Sequence, residues 1–265
     1  MECMVRVEGG EVWADDTGVV PGPGAEGPPL VLLHPGVGDS RIWDRVVSGG
    51  LDARYRVIRY DARGFGRSPK PGTSYTQTRD LRAVLDHFGV PRAVLVGSSM
   101  GGSTAIGFTL EEPARVAALG LVVPGVSGYP GLDSAELTER IGQLAKAGDM
   151  DGLVALALGM WGAAGPSPDT EAEEALRAAI PAWFTTYGHD TPPPPAFDRL
   201  GEIALPTALL LGEKDQPEVV RSNEEIASRI PGCHLVRLPS CDHFPTLRDP
   251  DAVREFIEEL YERAG

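Results

Sequence analysis

Short, wholly apolar runs alternate with helical patterns along most of this chain, and the alternation restricts its fold more than any other feature. The runs are Leu30–His34, Tyr55–Tyr60, Ala93–Val96, Ala117–Val123, Thr207–Leu211 and Leu235–Leu238. Helical periodicity falls between several of them, at Thr78–Phe88, Met100–Glu112, Val219–Ile230 and Asp251–Arg263. A strand without a polar side must be covered on both faces. The pattern therefore predicts an α/β fold with a mostly parallel central sheet flanked by helices. Ahead of it, "MVRVEGGEVWADD" alternates about Gly9-Gly10 and reads as a β-hairpin, followed by the loop "PGPGAEGPP".

The alternation lapses between about Gly131 and Leu200. This segment offers helical pieces at Ser134–Ala147, Asp151–Leu158 and Thr170–Ala179, then the stiff spacer "HDTPPPPAF", and no strand. The division that follows is a core of residues 1–130 and 201–265 with a helical cap at 131–200. Open α/β sheets bind ligands at their carboxyl edge, which is where such an insertion would lie. The alternative is an insertion that only pads the flank.

Between the Ala93–Val96 run and the next helix stands "VGSSMGG", which contains Gly97-Ser98-Ser99-Met100-Gly101, a G-x-S-x-G pattern. A residue on a very sharp strand-to-helix turn has strained backbone angles, and side chains two positions either side of it would collide. Glycine at both places relieves the clash and leaves the serine oxygen exposed. Ser98 lacks glycine on both sides, and Ser103 lies a turn inside the helix, so Ser99 is the candidate nucleophile. A start-of-helix position also aims backbone N–H groups at developing negative charge.

A serine needs a base, normally a histidine oriented by a carboxylate. His87 falls late in an amphipathic helix, His189 in the presumed cap, His234 at a strand start, and His34 at a strand end where it orders its loop. His243, between the last strand and the last helix, reaches the same sheet edge as Ser99 and is the expected base. For the acid, Asp215 just past the preceding strand is preferred to Asp242, because adjacent residues rarely point the right way to brace one another.

Five segments, in order, resemble the α/β-hydrolase superfamily from residue 30 almost to the C-terminus. "HPGVGDSRIWD" resembles its oxyanion loop, "YRVIRYDARGFGRS" its strand-and-turn signature and "VGSSMGG" its nucleophile elbow. "GEKDQP" and "CDHFPTLRDP" resemble its acid and histidine segments. The resemblance implies the α/β-hydrolase fold with an inserted cap and a triad of Ser99, Asp215 and His243. It also implies an oxyanion hole from the backbone N–H groups of Gly36 and Met100. His34-Pro35 replaces the usual His-Gly pair, and proline has no N–H, so the first donor belongs to Gly36 or Val37. The stretch from Arg56 to Gly102 looks most like enol-lactone hydrolases and small-ester esterases. Serine at position 99 speaks against epoxide hydrolases and haloalkane dehalogenases, which use aspartate there.

The expected activity is hydrolysis of a carboxylic ester or lactone of a small apolar or aromatic metabolite, with no cofactor and no metal. Candidate substrate contacts are Val37, Trp161, Trp183 and Tyr187, with Met160 and Phe184 in the same aromatic roof. Arg63 and Arg67 are expected to stabilise their turn rather than clamp a substrate carboxylate. The alternatives are a C–C bond hydrolase, an acyltransferase or cyclase with the same triad, and a non-catalytic receptor on this fold. A net charge of −14 argues against nucleic acid or an anionic membrane surface as partner. No apolar run approaches the roughly 18–20 residues of a membrane span. Without a leader-like start, and with three cysteines in no metal-like spacing, the chain reads as cytoplasmic. Oligomeric state is not legible.

Overall fold

The computed structural model describes residues 1–18, 27–130 and 135–264. Most of the loop expected after the hairpin, the start of the first cap helix and the 130/131 boundary lie outside these residues.

Eight strands form one sheet: β1 Glu2–Val7, β2 Gly10–Asp16, β3 Leu30–Leu33, β4 Val57–Tyr60, β5 Ala93–Ser98, β6 Val116–Val122, β7 Thr207–Gly212 and β8 His234–Leu238. Their spatial order is β1-β2-β4-β3-β5-β6-β7-β8. The hairpin pairs antiparallel within itself and against β4, and every other neighbour pair is parallel. Every expected strand is present.

Side chains alternate across a strand, so an all-apolar strand feeds two cores at once. Leu30 and Leu32 of β3 join one core, with Val94 and Val96 of β5. Val31 and Leu33 join the other, with Leu95. Helices cover both faces: α1 Gln77–His87, α2 Met100–Glu111, then the insertion α3 Ala135–Ala147, α4 Met150–Trp161 and α5 Thr170–Thr185, then α6 Pro217–Arg229 and α7 Pro250–Ala264. The buried stripe Val253, Phe256, Ile257 and Leu260 of α7 has the spacing of one helical face.

The structure departs from the expected elements in several places, of which three bear on the insertion and its surroundings. Between β3 and β4 the chain forms short helical turns, from Ser40–Trp43 through Asp52–Arg54. The insertion's spacer leads into a 3₁₀ turn at Phe197–Glu202. And α5 runs past Ala179 to Thr185, with Pro181 inside it. Pro181 and Arg177 are both exposed, so water can replace the donor that proline denies the Arg177 carbonyl.

The chain passes from β3 to β4 on one side and reaches β5 on the other. The loops leaving β3 and β5 therefore diverge at the sheet's switch point, where an open α/β sheet has its crevice.

Candidate active site

Ser99 links β5 to α2 with φ 48° and ψ −109°, a left-handed conformation that is costly for a residue with a side chain. The turn is pinned by hydrogen bonds at both ends of the residue. The Ser99 N–H donates to the Val122 carbonyl at 3.1 Å, and its own carbonyl accepts from the Ser103 and Gly125 amides, each at 3.0 Å. A Cβ on Gly97 would lie 2.3 Å from the Gly101 carbonyl oxygen, and one on Gly101 would lie 2.4 Å from that of Leu33. Strand and helix thus approach more closely than any side chain allows.

His243 Nε2 lies 2.9 Å from Ser99 Oγ, and its Nδ1 lies 2.5 Å from Asp215 Oδ2. A carboxylate only accepts, so the imidazole proton sits on Nδ1 and Nε2 faces the serine hydroxyl as an acceptor. The Asp215 side chain is fully buried, and its Oδ1 accepts from the Gln216 amide at 2.7 Å. The His243 amide donates to the Trp161 carbonyl at 3.2 Å. Its ring stacks on the Trp161 indole at 5.9 Å between centroids.

Asp242 turns away from the histidine ring. It accepts from the Ala164 amide at 2.8 Å, the Phe244 amide at 2.9 Å and the Arg248 guanidinium at 3.0 Å. His34 bridges its own loop. Its Nε2 accepts from the Ala62 amide at 2.9 Å, which leaves Nδ1–H to donate to the Pro35 carbonyl at 2.8 Å.

With that carbonyl held, the planar trans peptide turns the Gly36 N–H to the opposite side. Trp183 Nε1 donates to the Gly36 carbonyl at 2.6 Å, which orients the Val37 N–H in the same way. Gly36 packs beside Met100, whose Sδ lies 3.7 Å from the place of a Gly36 Cβ. Among the described residues, the amides of Gly36, Val37 and Met100 have no backbone acceptor.

These groups border a cavity of about 420 Å³. Its lining includes Ser99, Met100 and His243 together with Met160, Trp161 and Trp183 of the insertion. Val37, Leu137, Pro124 and Val219 add apolar surface. No lysine or arginine is among the described lining residues, and Glu218 is their one carboxylate. Tyr187 is 87% exposed and is not among the described lining residues of the cavity. Its helix ends at Thr185, so the chain turns it to solvent. Phe184 is also exposed.

Both arginines of "DARGFGRS" are occupied structurally. Arg63 is buried against Asp80, with two contacts of 2.7 Å, and donates to the Glu8 carbonyl. Arg67 lies over the Trp13 ring, and its amide donates to Asp61 at 2.8 Å. A second hollow of about 440 Å³, beside Arg63 and the hairpin, shares no described lining residue with the cavity at Ser99. Among the described residues, no group of three or more His, Cys, Asp or Glu side chains is arranged to hold a metal. No described helix is long and apolar enough to cross a membrane.

Three contributors were not foreseen from the sequence: Trp183 Nε1 on the Gly36 carbonyl, Gln216 Nε2 on the Met160 carbonyl at 2.9 Å, and Arg248 on Asp242. The first two are long-range contacts without a local motif, whereas Arg248 lies six residues from Asp242. The signal available for Arg248 was a basic residue between acids in "CDHFPTLRDP".

Comparison with known proteins agrees with this architecture. The chain is 36% identical over 110 residues to a 2-hydroxy-6-oxo-6-phenylhexa-2,4-dienoate hydrolase of Comamonas testosteroni, a match covering 39% of this chain and only 38% of that protein. It is 28% identical over 261 residues to a 2-hydroxy-6-oxononadienedioate/2-hydroxy-6-oxononatrienedioate hydrolase of Burkholderia vietnamiensis, covering 88% of this chain and 87% of the other. The solved structure of an N-acyl homoserine lactone degrading enzyme superposes with a TM-score of 0.74 at 27% identity, covering 97% and 99% of the two chains. Residues 30–256 match the alpha/beta hydrolase family, and the chain belongs to it.

Proposed function

We propose that the protein is a serine hydrolase that cleaves a carboxylic ester or lactone of a small, apolar or aromatic molecule through an acyl-enzyme. The observation that carries this reading is the Ser99–His243–Asp215 alignment, at 2.9 and 2.5 Å, opening on a cavity with no lysine or arginine among its described lining residues. His243 Nε2 takes the Ser99 proton as Oγ attacks the carbonyl carbon. The Gly36 and Met100 amides hold the oxyanion, with Val37 beside them. As the carbon–oxygen bond breaks, His243 returns the proton to the leaving alkoxide. Water, deprotonated by His243, then attacks the acyl carbon, and Ser99 regains a proton as the acid departs. Asp215 holds the imidazole tautomer and stabilises its charged form. Residues 131–200 serve as the cap, and Trp161 and Trp183 contact the substrate.

Hydrolysis of a C–C bond is the second reading, favoured by the names of the two relatives. Their named substrates are carboxylates, the second a dicarboxylate. A buried carboxylate calls for a paired cation. The cavity's described lining holds no Lys or Arg, which favours the neutral ester or lactone.

Fluorophosphonate labelling with mass spectrometry, followed by a panel of p-nitrophenyl esters, lactones and β-diketones, tests the assignment. Ser99→Ala is expected to abolish labelling and lower turnover by roughly 10³-fold or more while the fold persists. Full esterase activity in that variant refutes the role of Ser99, and faster cleavage of the diketones supports the second reading.

A further inference from the structure

We propose that Arg248 is a positioning residue that ties the His243 loop to the inserted helices, so that the Ser99–His243–Asp215 alignment depends on their docking. This role rests on the serine-hydrolase reading of the site.

Arg248 ends the short helical turn Pro245–Arg248, five residues after His243, and its side chain is 9% exposed. It lies between two buried carboxylates. Nε reaches the Asp242 oxygens at 3.2 and 3.1 Å, and Nη2 reaches Oδ2 at 3.0 Å. Nη1 and Nη2 meet Asp169 at 3.1 and 2.5 Å. Asp169 is the N-cap of α5, accepting from the Ala172 amide, and so belongs to the insertion. Asp242 precedes His243 in the chain. The same segment of the insertion supplies the Ala164 amide to Asp242, the Trp161 carbonyl to the His243 amide and the Met160 carbonyl to Gln216, the neighbour of Asp215.

Four ties therefore run from residues 160–169 to the two loops that carry the acid and the base. Arg248 is the one among them that supplies charge. Without it, two desolvated carboxylates face each other with no counterion, a strongly unfavourable arrangement. Their separation moves Asp242, and the peptide bond carries His243 with it. Hydrogen bonds of 2.5 and 2.9 Å do not survive a shift on the order of 1 Å.

The test compares wild type with Arg248→Met, Arg248→Lys and Asp169→Asn. Arg177→Met serves as control, since it breaks only exposed pairs within the insertion. The readouts are kcat and KM on p-nitrophenyl butyrate, the rate of fluorophosphonate labelling, and the low-field proton resonance of His243 Nδ1–H. Arg248→Met is expected to lower kcat and labelling by about 10²-fold with little change in KM, and to erase the resonance. Lysine restores part of the loss, Asp169→Asn gives an intermediate defect, and Arg177→Met behaves as wild type. Folded Arg248→Met or Asp169→Asn protein that melts earlier but keeps wild-type kcat, labelling rate and resonance overturns the proposal. Should Arg248→Met not fold, Asp169→Asn decides alone. A wild type that neither labels nor hydrolyses esters, yet loses the resonance in Arg248→Met, sinks the hydrolase reading and leaves the positioning role standing.

Discussion

Alanine at position 101 places a methyl carbon 2.4 Å from the Leu33 carbonyl oxygen and 2.6 Å from its carbon. At position 97 the added carbon lies 2.3 Å from the Gly101 carbonyl oxygen and 2.6 Å from the Gly102 amide nitrogen. Non-bonded atoms settle about 3.5–4.0 Å apart, so α2 must move by roughly an ångström, away from β3 for position 101 and from β5 for position 97. The atoms in the way are backbone and cannot rotate aside. Overpacking of this kind costs about 1–3 kcal/mol. Each kcal/mol lowers Tm by roughly 2–4 °C in a domain approaching this size. The same shift displaces Ser99 relative to His243, and misplacement by about 1 Å is worth roughly 10²-fold in rate. Gly159 in α4 is the control: nothing lies within 4 Å of its would-be Cβ. Alanine there improves helix propensity by about 1 kcal/mol and should raise Tm. Calorimetry and esterase kinetics on Gly97→Ala, Gly101→Ala and Gly159→Ala check the ordering. Gly101→Ala with wild-type Tm and kcat would refute the argument that a tight elbow holds the serine.

Trp183→Phe keeps an aromatic ring but removes the donor to the Gly36 carbonyl. Ester kcat should fall roughly tenfold, less than the 10²–10³ that follows loss of an oxyanion donor itself, whereas Tyr187→Ala should change neither kcat nor KM. Acid stability depends on Asp16. Burial alone would raise its pKa, but the Arg56 ion pair and the Gly18 amide outweigh burial and hold it below the ordinary 3.8. A lowered folded pKa gives stability that is fully present above the unfolded pKa and lost as pH falls through the folded pKa. Tm measured from about pH 6 to about pH 3 should therefore fall less steeply in Asp16→Asn than in wild type, and equal slopes would count against the Arg56 pairing.

The sheet was legible because each buried strand must be apolar on both sides, and few other structures produce runs such as Leu30–Leu33. The elbow was legible because its glycines answer a local steric demand. The helical turns between Ser40 and Arg54 were not, since none is long enough to show a period of 3.6 residues. Tyr187 misled through phase. Ala179 and Trp183 share a helical face, and Tyr187 would continue it, but α5 stops at Thr185. Asp215 and Asp242 both follow strand ends as sequence, and adjacency to His243 argued against Asp242. What Asp242 does instead was not legible, because one of its partners, Ala164, lies 78 residues away in the insertion.

On the ester reading, a neutral molecule enters the cavity and its acyl half departs as a carboxylate anion. The wall that accepts the first has no lysine or arginine among its described residues to pair with the second, and it includes Glu218, within a chain of net charge −14. Glu218 repels the newly formed acid while water hydrates it outside, so both electrostatics and solvation draw it out. Release of the acid then helps to make turnover directional, because an anion that does not linger beside Ser99 cannot re-acylate it.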